Sequence, residues 1–384
     1  MLVRLVLLFV ALLVLATGAQ TVRAQESARQ APTETVSARV VRVLEEGVTQ
    51  VGPVTQPYQR LLVELTSGSD KGQAVEVSIG VRDLNTAGQR FEPGDRIFLS
   101  VSTGPDGRQA YTLLDRDRTT PLAVLAVLFA GAIVALGRWK GLRALVGLGF
   151  TFVMLVWVLI PLILRGYPPV AVAIVVSFVV FAVTLVVTHG LGRMALAALA
   201  GTSLSLILTG VLASLFIAAA GLSGLADEEA SFLQVVLGDR AMNPRGLLLA
   251  GMLVGALGVL DDITVSQSSL VFELRRANPL SSGWELFAAG VRVGRDHIAA
   301  TVNTLVLAYA GAALPLLLLF SQLDEPLLWV VNREIIAQEV VQMLVGSLGL
   351  IAAVPLTTGF AAWLAVRTPV GALAELDHGH SHHH

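Results

Sequence analysis

The chain contains no cysteine, which removes disulfides, thiolate metal sites and cysteine nucleophiles from consideration. Charge is scarce as well. Only 14% of the 384 residues are Asp, Glu, Lys or Arg, against 54% hydrophobic, where a soluble domain carries about 25% charged residues. A chain in lipid sheds charge in this way, because a charged side chain at mid-bilayer costs roughly 2.5–3.5 kcal/mol on insertion scales. The formal net charge of −2 gives no support to a nucleic-acid partner. The sequence also lacks a Walker A loop, an HExxH helix and a GxSxG elbow, so nucleotide hydrolysis, zinc-protease and serine-hydrolase chemistry have no motif. The chain reads as non-enzymatic, with no cofactor and no metal site.

The charge that is present is unevenly placed. From Gln25 to Thr119 the chain is polar and mixed; from Thr120 onward long apolar runs take over. The division expected is a small extracytoplasmic all-β domain (25–119) ahead of an all-α transmembrane bundle (120–367). Before both, Arg4, the apolar stretch Leu5–Leu15 and Val22-Arg23-Ala24 make the pattern of a secretory signal, cleaved or kept as an anchor (1–24). After both comes a short cytoplasmic tail (368–384) ending HGHSHHH (His378–His384), whose terminal position suits an unstructured segment better than a metal site.

Residues Ser37–Leu114 alternate at period two. RVVRVLEE (Arg39–Glu46), RLLVEL (Arg60–Leu65), QAVEVSI (Gln73–Ile79), DRIFLSV (Asp95–Val101) and QAYTLL (Gln109–Leu114) are strand candidates, separated by turn residues such as Pro93-Gly94-Asp95 and Pro105-Asp106-Gly107. Five short strands suit a small OB-like barrel, with a sandwich as the alternative. The domain has no basic, aromatic-studded face for an oligomer.

A helix needs about 20 apolar residues to cross the hydrocarbon. Pro121–Gly137, Ala144–Leu164, Pro169–Thr188, Ala195–Leu222, Gly246–Leu270, Ile298–Phe320 and Val340–Val366 meet that need, so about seven spans are expected. Arg138, Lys140, Arg143, Arg193, Arg275, Arg276, Arg292, Arg295 and Arg367 fall on one side, while Arg165, Arg240, Arg245 and Arg333 fall on the other. The bias puts the β domain outside and the C-terminus in the cytoplasm.

One apolar run is interrupted: GVLDDITVSQSSLVFELRR (Gly258–Arg276). Asp262, Ser266, Ser269 and Glu273 stand at offsets 0, 4, 7 and 11, on one face of a helix. Asp261 and Ser268 form an adjacent line. Acids within a span usually face a bundle interior or a water-filled cavity and mark an ion or proton path. A second cluster follows in Gly290–Gly311, where Arg292, Asp296 and Asn303 share a face, Arg295 flanks it and Thr301 and Thr304 lie beside it. An unpaired Asn303 amide in lipid would be costly, and a partner on the Asp262 helix would satisfy it. Gly251-x-x-x-Gly255 matches the small-xxx-small packing pattern, and Pro315 and Pro355 suggest kinks. GLGRMA (Gly190–Ala195) fits a loose dinucleotide pattern but follows an apolar run rather than a strand. His189 and His297 read as interfacial.

Several of these stretches together resemble the YibE/F family of bacterial polytopic membrane proteins. They are GALGVLDDITVSQSSLVFEL (Gly255–Leu274), Asn278-Pro279, Gly294-Arg295-Asp296, NTLVLAYAG (Asn303–Gly311), Leu314-Pro315 and HGLGRMALAALAGT (His189–Thr202). The β region joins them with YQRLLVELTSGSDKGQAVEV (Tyr58–Val77) and PGDRIFL (Pro93–Leu99). Asp261 stands where the family pattern has an apolar residue, and His297 is a second departure. The resemblance implies the fold, a multi-pass place in the bacterial plasma membrane and a permease-like role. Asp262, Ser266, Ser269, Asp296, Asn303 and Thr304 match the family best and are the leading site candidates; Asp261, Glu273 and Arg295 are secondary candidates on the polar faces. The leading expectation is transport of a small solute or ion along a polar path lined by the Asp262 and Asn303 helices. The alternative is a scaffold whose outer domain binds an envelope protein partner. An acid-based intramembrane hydrolase is weaker, because the Gly-x-Gly-Asp arrangement is absent.

Overall fold

The computed structural model describes residues 34–51, 54–80, 90–103, 109–238, 242–322 and 325–369. The expected signal, the Pro105–Gly107 turn, Arg240 and the histidine tail lie outside them. The chain forms two compact units, divided between Ile133 and Val134.

In the first unit the period-two pattern becomes five antiparallel strands: β1 (Glu34–Val51), β2 (Val54–Leu65), β3 (Ala74–Ile79), β4 (Arg96–Thr103) and β5 (Gln109–Arg116). Their order is β3-β2-β1-β4-β5, and the outermost strands β3 and β5 approach one another, as a half-closed barrel of OB type requires. Bulges in β1 between Val40 and Arg42 and between Val43 and Glu45 bend it so that it can serve two neighbours. Alternate residues point inward, and Val36, Ala38, Val40, Leu61, Val63, Leu65, Val77, Ile79, Ile97 and Leu99 are buried together with Phe91. Gln59 is buried too, with both ends of its amide used: Oε1 accepts from the Phe91 N–H at 2.9 Å and Nε2 donates to the Phe91 carbonyl at 3.3 Å. Gly80 closes β3 at φ +77°, where a Cβ would lie 2.3 Å from the Pro57 carbonyl oxygen; no side chain fits there.

The expected strands hold, but β1 and β2 run further, as a hairpin paired to Val51↔Val54. Pro57 hid this extension. It lies in β2 opposite Val48 and beyond the reach of β3, which pairs only with Gln59–Glu64. A proline is tolerated where no neighbour needs its missing N–H.

The helices are α1 (Thr119–Val153), α2 (Ile160–Leu164), α3 (Pro169–His189), α4 (Arg193–Ala219), α5 (Glu228–Leu237), α6 (Pro244–Ala277), α7 (Gly283–Ala312), α8 (Leu314–Ser321), α9 (Leu327–Val331) and α10 (Glu334–Val366). A π turn, Met154–Leu159, joins α1 to α2. It sits just before Pro161, whose ring crowds the carbonyl four residues back and cannot donate to it. Five helical stretches are long and apolar enough to cross a membrane, or six if α7 and α8, bent by 60°, form one span. Pro315 opens α8 at that bend. Seven crossings are expected from the sequence. The difference lies in Thr119–Leu164, one stretch of 46 residues that holds the first two apolar runs. Straight, it would extend about 69 Å, more than twice a hydrocarbon thickness of about 30 Å. It is broken at Arg138, where φ 48° and ψ −127° leave the helical region.

Within the second unit α10 packs along α4, α6 and α7, and α4 packs along α6. The α4–α10 seam is closed by two reciprocal contacts. A Cβ on Gly201 would lie 2.1 Å from Thr357 Oγ1 and 2.9 Å from its Cα, and one on Gly349 would lie 2.0 Å from Thr209 Oγ1. Gly290 and Gly294 of α7 press likewise on Thr358 and Val354. Gly251, by contrast, has nothing within 4 Å, and Gly255 only the tips of Gln342 and Tyr309. The Gly251-x-x-x-Gly255 pattern is therefore not where the helices approach most closely.

Candidate functional site

α6 sorts its polar residues onto two faces. Thr264, Gln267, Ser268 and Val271 are buried, and they lie about 140–240° round the helix from Asp262. This face is a hydrogen-bonded layer. The Gln267 amide nitrogen donates to the Gly290 carbonyl at 2.6 Å and to Thr358 Oγ1 at 2.8 Å. Ser268 donates to the Met194 carbonyl at 2.7 Å, and Thr264 and Thr202 share a 2.5 Å bond. Each polar group thus meets a partner on a neighbouring helix, as a water-free interior requires.

The opposite face holds the stripe singled out in the sequence. Asp262, Ser266 and Glu273 are exposed and Ser269 is half-buried. Glu273 pairs with Arg276 at 3.1 Å, an ordinary surface pair one turn apart. Asp261, Asp262 and Ser266 open on a cavity of about 380 Å³. Its other walls are Ala144, Gly147, Leu148 and Thr151 of α1 and Thr184, Leu185, Thr188 and His189 of α3. Asp261 is half-buried beside Asp262.

The threonine hydroxyls of this cavity are already committed as donors. Thr151 donates to the Gly147 carbonyl at 3.0 Å, Thr184 to that of Val180 at 2.9 Å and Thr188 to that of Thr184 at 2.7 Å. A hydroxyl has one proton, so these oxygens offer the cavity only lone pairs. Thr188 Oγ1 also lies 2.7 Å from His189 Nδ1. Which of the two donates depends on the tautomer of the ring. No Lys or Arg lines the cavity, although Lys140 lies close enough to His189 to act on it electrostatically. Two carboxylates and a ring of oxygen lone pairs form a site suited to a cation.

The second sequence cluster lies elsewhere. Arg292, Arg295, Asp296, His297, Asn303 and Thr304 are exposed on α7, and Thr304 donates to its own helix at the Ala300 carbonyl, 3.0 Å away. α7 contributes no residue to the cavity. Asp262 and Asn303 are therefore not brought together there; α7 meets α6 instead at Gly290 and Gln267. Sequence reasoning passed over Thr151, Thr184 and Thr188, and read His189 as interfacial. The four-residue spacing of Thr184 and Thr188, with His189 next to it, is the signal that places them on one side of α3.

Apolar helices of this length, a buried polar layer and a separate five-stranded sheet define a multi-pass membrane protein. The family model described as YibE/F-like protein matches residues 125–367, and the chain belongs to the YibE/F family, as its motifs suggest. No curated protein and no solved structure matches the chain.

Proposed function

We propose that the protein is a permease-type transporter of a small cation, which it holds in the cavity beside Asp261 and Asp262. The observation that carries this reading is the lining: two carboxylates lie with three threonine hydroxyls whose protons are committed to their own helices, and no Lys or Arg stands among the lining residues. An anionic solute would meet carboxylates there and no cationic side chain. A dehydrated or partly hydrated cation, or a proton, would find several oxygen ligands. In this reading the plasma membrane holds the helices, the β unit faces outward and the C-terminus lies in the cytoplasm, as the charge bias suggests. Catalysis plays no part. Asp296, Asn303 and Thr304 belong to a flank of the route and not to the ion site.

The test is ion flux in proteoliposomes across a panel of monovalent and divalent cations, with Asp262→Asn and Asp261→Asn beside the wild type. Flux of one cation, lost in Asp262→Asn and reduced in Asp261→Asn while both variants insert and purify as before, is the expected result. Unchanged flux in both variants would overturn the reading.

A second reading, the scaffold, draws on one observation in the β unit. β4 pairs with β1 only over Glu34–Arg39, and β3 with β2 only over Gln59–Glu64. Among the described residues, the outer part of the β1–β2 hairpin therefore has free backbone edges of the kind an added strand pairs with. That reading gains if no cation in the panel moves.

A further inference from the structure

At one end of the helical unit four helix termini converge. The start of α4 meets the last third of α6 through Ser268 and the Met194 carbonyl. The start of α7 meets the end of α10, where Gly283 lies against Val366. Ala197, Val271, Phe272, Leu286, Ala361, Ala362 and Ala365 close the core beneath them. Three arginines cap this end, and none meets a carboxylate among the described residues. Arg193 Nη1 donates to the Arg367 carbonyl at 2.7 Å and to Thr368 Oγ1 at 3.0 Å. Arg275 Nη1 donates to the Ser281 carbonyl at 2.6 Å, while its Nε is buried without a partner. The Arg367 guanidinium rests on the Trp363 ring, 4.0 Å from its centroid. Among the described residues, two acids of this end are already used: Glu273 pairs with Arg276, and Glu285 accepts the Ser282 N–H at 2.7 Å in the capping box of α7.

Several other arginines of the chain are ion-paired. Arg333 pairs with Glu325, Arg60 with Glu45 and Glu76, and Arg116 with Asp95. Carbonyl and ring contacts hold Arg193, Arg275 and Arg367 in place without neutralising them. The same end carries Trp284, 73% exposed and stacked on Phe287, and Leu280, 93% exposed. Exposed tryptophans at helix ends mark the headgroup level of a bilayer.

We propose that Arg193, Arg275 and Arg367 form a binding surface for the headgroup of an anionic phospholipid. The phosphate supplies the missing counter-charge, which a guanidinium binds through paired donors. Trp284 and Leu280 sit among the neighbouring acyl chains. A lipid, and not a soluble phosphate, fits because the cations and the apolar side chains share one level.

The test is a titration of the full-length protein in neutral detergent, read as the rise in unfolding temperature. Phosphatidylglycerol, phosphatidylcholine and inorganic phosphate are the three probes. The wild type should gain with phosphatidylglycerol only, and the gain should shrink in high salt. Each cation near a charged headgroup is worth about fivefold in affinity, so Arg275→Gln with Arg367→Gln should weaken the midpoint about 25-fold. Arg276→Gln, which removes an ion-paired arginine, should leave it nearly unchanged. An equal gain with phosphatidylcholine or with inorganic phosphate would overturn the proposal, and so would a double variant that titrates like the wild type. Should the double variant fail to fold, the three probes on the wild type still decide.

Discussion

The β unit and the helical unit place their polar groups in opposite ways. In the β unit the centre is Val, Leu, Ile and Phe, and the charged residues form pairs on the outside, as Arg60 does with Glu45 and Glu76. In the helical unit the outside is Leu, Val, Phe and Trp, and Thr202, Ser205, Thr209, Thr264, Gln267, Ser268, Thr357 and Thr358 are inside. Water makes the first arrangement favourable, because burying apolar surface drives the collapse. In lipid that drive between helices is absent, and close packing with internal hydrogen bonds takes over. Within the helices a glycine becomes a packing residue, as Gly201 and Gly349 admit a threonine, whereas Gly80 and Gly94 of the β unit turn the chain at φ +77° and +100°.

This contrast can be broken at several points. The largest effect is expected from Gly201→Leu, whose side chain must enter the space of the Thr357 backbone. Overpacking on that scale costs about 3 kcal/mol or more, and the helical unit should lose its folded yield in detergent. A yield equal to wild type would show that the seam has slack. Next comes Leu61→Ala, at a position with no exposed surface in the β unit. The fragment Gln25–Asp117 should be soluble, monomeric and β-rich by circular dichroism, and the substitution should lower its unfolding free energy by about 2–5 kcal/mol. Aggregation of the wild-type fragment would mean that its apolar face depends on the helices. Gln267→Leu leaves the Gly290 carbonyl and Thr358 without their donor, at about 1–3 kcal/mol, read from thermal unfolding of the full-length protein. If it is neutral, hydrogen bonding does not hold this layer. The smallest effect is Arg60→Ala, which removes exposed pairs only. Its unfolding midpoint should stay at the wild-type value.

The strands were legible because water imposes a strict alternation, so Val36, Ala38, Val40 and their partners announce their side of the sheet. The spans were legible by length and apolarity, apart from the long first stretch, in which Arg138 looked like a loop residue and marks a break within one helical run. The inward faces of the helices were harder to read. A threonine in an apolar helix looks the same whether it faces lipid or a neighbour, since its hydroxyl can always bond its own backbone, as Thr151 and Thr184 do. Thr202 and Thr264 became partners only through the approach of two helices distant in sequence. The Asp262 stripe drew notice because carboxylates are rare in such a run. The face that packs, through Gln267 and Ser268, was the one opposite.

The reciprocal Gly201–Thr357 and Gly349–Thr209 contacts have a mechanical consequence. They interlock α4 and α10 at two levels, so neither helix can slide or roll without driving a threonine into the other's backbone. α6 is tied to α4 through Thr264 and Ser268, and to α7 and α10 through Gln267. These four helices form one interlocked body. One wall of the acid-lined cavity, α6, is fixed to it, whereas α1 and α3 form the opposite walls and take no part in the interlock. Under the transport reading proposed above, a change in the cavity's access is a movement of α1 and α3 against a stationary Asp261 and Asp262.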